Sequence, residues 1–406
     1  MYYFDNQIMK HLFCIVFVFL SACGPQPDRA PKKIEYMITL QDNGFLVEIK
    51  HDGTQRLNIL GLSREPSLES KILRGTEEYP VRYTVTPKKL PLPRIRALPT
   101  IFDFENGFFQ TVGHAFLMCT SQMDSKKSIR ITWKGRSNWK FANSFSATQN
   151  EQNFEANCDE LRAALYTGGS ELTLYKTWFG VLALIGEFKT LDIHDIEDAL
   201  KRNMERVLEF WDSEPDEHYF IALSSKKDTA FGGTAHLRSF QINLPEDLKP
   251  YQLDHLITHE YFHNWNGLRI NQLPSVNNDH LDVWWFVEGF TDYYAYLLNK
   301  IPDTEVFQNI GLAELKQKYS DTDDTYSKIP YIQGRRIAGK LDGKIRTHSG
   351  KELKHVMHEI IKLSEKNPNY YLTRENILGV ICIGGYMSCT EATEILRNHV
   401  DLGMSF

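Results

Sequence analysis

Two histidines four residues apart bracket an acid in the run His259-Glu260-Tyr261-Phe262-His263. On a helix, positions four apart share a face, so both imidazoles can close on one cation. Glu260 then stands beside that cation and can reach a water on it without becoming a ligand. That is the arrangement hydrolysis by metal-activated water requires. A five-residue pattern of this kind also arises by chance, so its surroundings decide. Apolar residues recur at helical spacing from Tyr251 to Trp265, and a second helix is expected over Val283 to Lys300. Glu288 on that helix can complete a His/His/Glu zinc site with one position left open. Asp292, one turn further on the same face, can accept a hydrogen bond from a liganding imidazole and fix its tautomer. The competing reading of Asp292 is an ordinary helix-surface carboxylate.

These residues need elements to hold them, and the chain is long enough to build several. It has 406 residues, 42% hydrophobic and 24% charged, and a formal net charge of −6. Such a composition supports a real core and two or three domains. It offers no basic field to hold phosphates, so nucleic acid is not expected as a partner. The expected class is α+β. An N-terminal antiparallel β-domain over residues 35–165, a sandwich in form, precedes a catalytic unit. That unit has a mixed β lobe over 166–250 and a helical lobe with the zinc site over 251–406. Tyr36 to Leu40 and Phe45 to Ile49 flank the turn signal Asp42-Asn43-Gly44. Gly113 to Cys119, Ile129 to Trp133, Tyr219 to Leu223 and His236 to Leu244 also read as strands. Asp195 to Trp211 has helical spacing of Ile196, Leu200, Met204, Val207 and Leu208.

The first residues differ from the rest. Leu12 to Leu20 is an apolar run after Lys10 and His11. It is shorter than the roughly 20 residues of a membrane-spanning helix and fits a secretory signal. It ends Leu20-Ser21-Ala22-Cys23, which resembles the bacterial lipobox. In that reading residues 1–22 are removed, Met9 is a plausible true start, and Cys23 is acylated. Residues 23–34, rich in proline, then form a tether. The expected place is the bacterial cell envelope, on the periplasmic or cell-surface side, with the membrane reached through lipidated Cys23. An uncleaved anchor or a chance apolar N-terminus is the alternative. Cys119, Cys158, Cys382 and Cys389 remain, with pairing open among three arrangements and four buried thiols an equal possibility.

The site segments resemble the glycyl aminopeptidase family, gluzincin zinc peptidases related more distantly to aminopeptidase N and thermolysin. HEYFHNWN at His259 to Asn266 matches the family's HExxH followed by Trp-Asn. WWFVEGFTDYY at Trp284 to Tyr294 matches its third-ligand segment. Tyr331-Ile332-Gln333-Gly334 resembles its YxKG segment, and Phe231 to His236 (FGGTAH) resembles its GGLEH segment. Weaker similarity runs from about Glu35 to about Gly403. The resemblance implies that the catalytic unit is thermolysin-like, with a zinc cofactor on His259, His263 and Glu288 and with Glu260 as general base and then general acid. It implies that Tyr331 donates its phenol to the tetrahedral oxyanion, with a core tyrosine or Tyr326 as rivals. It also implies that Gly232 and Gly233 lie on an edge strand against the substrate backbone, although bare glycines equally suit a bulge.

Three departures bear on function. The acid of GGLEH is Ala235, and in the related aminopeptidases an acid in the matching segment binds the substrate's free amine. The lysine of YxKG is Gln333, followed by Arg335 and Arg336. A buried arginine there can grip a carboxylate bidentately, and a solvated helix face is the commoner use of such a pair. The PDZ-like domain common after the family's catalytic part is expected to be lacking. The expected activity is zinc-dependent hydrolysis of peptides or proteins, aminopeptidase-like by family. Endopeptidase-type cleavage and a catalytically inactive, membrane-tethered binding lipoprotein are the alternatives.

Overall fold

The computed structural model describes residues 32–52, 59–60, 68–74, 81–87, 101–104, 107–120, 123–145, 147–148, 150–186, 188, 191–225, 232–245, 248–270, 283–301, 325–367 and 369–401. The apolar N-terminal run, Cys23, most of the tether, Phe231 and the side chain of Tyr326 lie outside these residues.

The turn at Asp42-Asn43 closes a hairpin of β1 (Lys33–Gln41) and β2 (Gly44–His51), paired from Gln41↔Gly44 to Ile34↔His51. Ile34, Tyr36 and Ile38 are buried in alternation, the period of a half-covered strand. The β-domain continues with β3 (Ile59–Leu60), β4 (Leu68–Arg74), β5 (Val81–Pro87), β6 (Ile101–Asp103), β7 (Phe108–Val112), a helical turn α1 (Gly113–Phe116) and β8 (Cys119–Thr120). Then come β9 (Lys127–Lys134), β10 (Lys140–Asn143), β11 (Ala147–Thr148), β12 (Glu151–Ala156), α2 (Cys158–Ala163) and β13 (Leu165–Gly169). Two large sheets result, in the orders β12-β9-β1-β2-β5-β4 and β11-β10-β13-β7-β6, with β3 and β8 paired in a small third. Their facing sides share a core that includes Tyr36, Val47, Phe109, Phe141 and Tyr166.

Two details depart from the sequence reading. The pair β1/β9 is parallel. Parallel neighbours need a long crossover, and here the connecting chain supplies strands of both sheets on its way. The run Gly113 to Cys119 does not form one strand but coils at α1. Buried tyrosines make this possible by meeting its backbone: Tyr36 Oη donates to Met118 O at 2.9 Å, and Tyr83 Oη donates to Phe116 O at 2.9 Å. Those bonds replace the ladder partners a strand would have had. A disulfide joins Cys119 to Cys158, tying β8 to α2.

The next unit comprises β14 (Thr173–Thr177), β15 (Gly180–Gly186), α3 (Ile193–Trp211), β16 (Tyr219–Ser225), β17 (Gly232–His236) and β18 (Ser239–Leu244), in the mixed order β14-β15-β16-β18-β17. One face of this sheet, with Val181, Ala183 and Phe220, packs on Phe108 and Leu165 of the sandwich. The other, with Leu182, Ile221 and Leu223, shares a core with α3 and the helices beyond. Coverage on both faces explains the near-continuous apolar sequence of β15 and β16. The stretch His236 to Leu244 is not one strand. The chain reverses at Arg238, which takes φ 48°, and no glycine or asparagine marks that turn.

The helical lobe holds α4 (Pro250–Phe262), α5 (Trp284–Asn299), α6 (Thr325–Ser349), α7 (Leu353–Lys366), α8 (Arg374–Ile383) and α9 (Cys389–Leu396), then a π-helical turn, Arg397–Asp401. Pro250 opens α4 at a position where its missing N–H costs nothing. Polar side chains lock α4 between its neighbours: Asn203 Nδ2 on α3 donates to Asp254 Oδ1 at 2.6 Å, and Asn299 Nδ2 on α5 donates to Thr258 Oγ1 at 2.7 Å. Among the described residues no helix is long and apolar enough to cross a membrane.

Candidate active site

The last turn of α4 presents His259, the residue that caps its C-terminus is His263, and the first turns of α5 present Glu288. Nε2 of His259 and Nε2 of His263 lie 3.1 Å apart. Oε2 of Glu288 lies 3.4 Å from the first and 3.3 Å from the second. Ligand atoms about 2 Å from a tetrahedral ion stand about 3.3 Å from one another. The three atoms therefore have the spacing of three corners around one zinc ion, and two imidazoles with a carboxylate are donors zinc accepts.

Charge at these residues is strongly coupled. Burial works against a proton on His263, but Glu288 beside it outweighs burial and lifts the imidazole to about 9. Burial likewise opposes the charge on Glu288, and His263 overrides it, holding the carboxyl well below its usual range. His259 is lowered by burial. The ring of His263 is fixed from behind, its Nδ1 lying 2.9 Å from the backbone oxygen of Asn266. Asn266 Nδ2 donates in turn to Val287 O at 3.0 Å and Thr291 Oγ1 at 3.0 Å. One residue thus sets an imidazole and binds the helix that carries Glu288. The sequence reading gave Asn266 no role.

Glu260 lies against β17, the edge strand of its sheet. The backbone N–H of Ala235 donates to its carboxyl group. A Cβ on Gly233 would fall 2.6 Å from Glu260 Oε1, so the glycine makes room for this side chain. Gly232 and Gly233 do occupy an edge strand, and Gly232 takes φ 151°, where glycine is favoured. Burial raises Glu260 to about 8, with the negative charge of Glu288 adding and His263 opposing. A cavity of about 270 Å³ opens over these groups, lined also by Leu268, Trp284, Val287 and Tyr331.

Asp292 is buried and not a surface carboxylate. Its Oδ1 is 2.8 Å from His255 Nε2 and 3.7 Å from His259 Nδ1. The first is a hydrogen bond. At the second distance Asp292 acts on the ligand through charge. Burial raises the Asp292 carboxyl, yet the bond to His255, followed by the charges of His255 and Arg335, brings it down to about 2. His255 is one helical turn before His259, and the stripe His255, His259, His263 was open to view in the sequence. Arg335 donates from Nη1 to Asp292 Oδ2 and lies over the ring of Tyr296. Arg335 and Arg336 are 4% and 3% exposed, so the solvated-face reading does not hold. Arg335 grips a carboxylate belonging to the chain itself. An Arg335→Met variant should lose about 3–5 kcal/mol of stability, because Asp292 is left buried without its cation. Urea unfolding at pH 7 measures this, and a loss under 1 kcal/mol would contradict the assignment.

Tyr331 stands near the start of α6. Its ring stacks on His259 at 5.6 Å between centroids, and its hydroxyl bonds to Glu288. Burial and the charges of Glu288 and Glu260 raise the phenol, which stays protonated and able to donate. His236, the last residue of β17, is held down to about 3 by burial and then by His114. In the unfolded chain its value is about 6.5. The unfolded state therefore takes up a proton that the fold refuses. The contribution is complete above pH 6.5 and is lost as pH falls toward 3, the loss reaching about 3 kcal/mol at pH 4. His236→Gln should lose that part of the pH dependence. Equal slopes for both proteins in urea melts at pH 7 and pH 4 would exclude it.

Comparison with known proteins agrees with this geometry. The sequence model of the M61 glycyl aminopeptidase family matches residues 252–326, the segment with both histidines and Glu288. No curated protein sequence matches the chain. Among solved structures, an aminopeptidase N family protein from Idiomarina loihiensis aligns at TM-score 0.61 with 18% identity, over 89% of this chain and 78% of that one. An M1 zinc metallopeptidase from Deinococcus radiodurans aligns at TM-score 0.53 with 12% identity, over 92% and 94%. A mutant of that metallopeptidase, bound to a Tyr-Ser-Ala substrate, aligns at TM-score 0.52 with 13% identity, over the same shares. The chain has the fold of the aminopeptidase N type, and its residues 252–326 match the sequence model of the glycyl aminopeptidases.

Proposed function

We propose that the chain hydrolyses peptide bonds with zinc held by His259, His263 and Glu288, and that it does not require a free N-terminal amine. The observation that carries this reading is the spacing of the three ligand atoms beside a buried Glu260, with Ala235 facing the same cleft. Bound zinc supplies Lewis-acid polarisation of the scissile carbonyl and acidifies water for attack. Glu260 takes the proton from the attacking water and returns it to the leaving amine. Tyr331 keeps its hydroxyl proton and aims it where negative charge develops on the carbonyl oxygen. The edge of β17 offers backbone groups to an extended substrate, which positions the scissile bond without using side chains.

Among the described cleft residues the only acids are Glu260 and Glu288. Among these described residues a cationic N-terminus meets no acid beyond the metal ligand and the base, so internal bonds or blocked ends are accepted as readily. The names of the similar proteins favour an aminopeptidase, and the two readings part on one assay. Matched peptides with free and acetylated N-termini should be cut with kcat/KM values within about tenfold of each other, and chelator should stop both. The Ala235→Glu variant should shift preference toward the free amine by about tenfold or more, since a charged pair at such a site contributes roughly 1.4 kcal/mol or above. Strict dependence on a free amine in the natural sequence would overturn the proposal.

A further inference from the structure

Two cysteines outside the active site stand together in the helical lobe. Cys382 lies in the last turn of α8 and Cys389 is the first residue of α9. The connection between them is short, and its first half is hydrogen-bonded back to α8. Gly384 N donates to Val380 O at 3.0 Å, Gly385 N to Cys382 O at 3.2 Å, and Tyr386 N to Ile381 O at 3.1 Å. Gly385 takes φ 65°, the left-handed position that reverses a chain leaving a helix. Ser388 then caps α9, accepting from Glu391 N. This reversal sets Cys382 and Cys389 side by side at the facing ends of α8 and α9, where the two thiols act on each other. Cys389 is exposed, Cys382 partly so, and the intervening Ile383 is 90% exposed, so soluble reagents reach the pair.

We propose that Cys382 and Cys389 are a disulfide-forming pair that closes the α8–α9 turn. The same chain already bears the bridge Cys119–Cys158, so it is compatible with conditions in which disulfides form. The oxidant is a small-molecule or protein disulfide. The Cys389 thiolate attacks one sulfur of that disulfide, giving a mixed disulfide and releasing one thiol. The Cys382 thiolate then attacks the Cys389 sulfur and releases the second. Two protein thiols are oxidised, one external disulfide is reduced, and the two protons end on the released thiols. The closed turn supports the helix that carries Tyr331. Lys344 on α6 pairs with Glu391 on α9 at 3.4 Å, and Gln333 Nε2 donates to His399 O at 2.9 Å in the π-helical turn after α9.

The test is a peptide-level thiol count on the purified full chain. The native protein is incubated with oxidised glutathione, denatured, alkylated without reductant and digested. The expected result is a linked Cys382–Cys389 peptide with neither residue alkylated. In Cys389→Ser the remaining Cys382 should take the label fully or carry glutathione. Complete alkylation of both residues while Cys119–Cys158 stays linked would overturn the proposal. So would linkage of either residue to any other cysteine.

Discussion

A Glu260→Gln variant should keep its zinc and lose peptide hydrolysis by about 10³-fold or more. Removing a positioned general base forfeits roughly 10²–10⁴-fold. Here the same group also serves as the acid for the leaving amine, so both transfers fail at once. The amide preserves shape and can still accept from the N–H of Ala235. Glutamine fills the same buried space beside Gly233, so the packing of α4 on β17 is kept. The variant should therefore unfold no earlier than the natural protein. Elemental analysis after gel filtration, a peptide assay and a thermal melt read the three quantities together. A zinc-loaded Glu260→Gln protein with undiminished kcat would remove Glu260 from the mechanism. Loss of zinc together with activity would instead make it a structural residue.

Much of this site was legible because helical periodicity converts spacing into geometry. His259 and His263 meet because a helix repeats near four residues, and Glu288 joins them because its helix returns antiparallel. The sequence could not reveal which neighbours hold the ligands. Asn266 bonds through its backbone oxygen, which any residue possesses, and only the folded chain puts that oxygen at His263 Nδ1. Asp292 reads equally as a surface carboxylate until the distant Arg335 is seen to reach it across the α5–α6 contact. In the β-domain, alternation gave the β1–β2 hairpin, but a parallel partner such as β9 leaves no local mark. Gly113 to Cys119 misled for a related reason. Its apolar residues say that the segment is buried, and only the distant tyrosines make a helical turn the form that satisfies its backbone.

Replacing Gly334 by alanine should cost about 3 kcal/mol or more and should disable whatever protein remains folded. α5 and α6 touch backbone to backbone at Gly289 and Gly334. A methyl on Gly334 would collide with the carbonyl oxygen of Trp285, and one on Gly289 would collide with the Gly334 backbone. Neither obstacle is a side chain that can turn aside, so the helices must part, and overpacking of this kind costs roughly 1–3 kcal/mol or more. Parting them is also a chemical injury. Gly289 follows the ligand Glu288, and Gly334 sits one turn after Tyr331, whose hydroxyl bonds to that ligand. The close approach thus sets the distance between the third ligand and the phenol. Arg335, next to Gly334, would withdraw from Asp292 in the same movement. Gly343 is the control on the same helix, because a Cβ there meets nothing within 4 Å. Gly343→Ala should stabilise the protein by about 0.5–1 kcal/mol, the gain of alanine over glycine inside a helix, and leave kcat unchanged. Urea melts and peptide kinetics on the two variants separate a general glycine effect from a helix contact. Gly334→Ala with natural stability and activity would show that α5 and α6 do not need this approach to build the site.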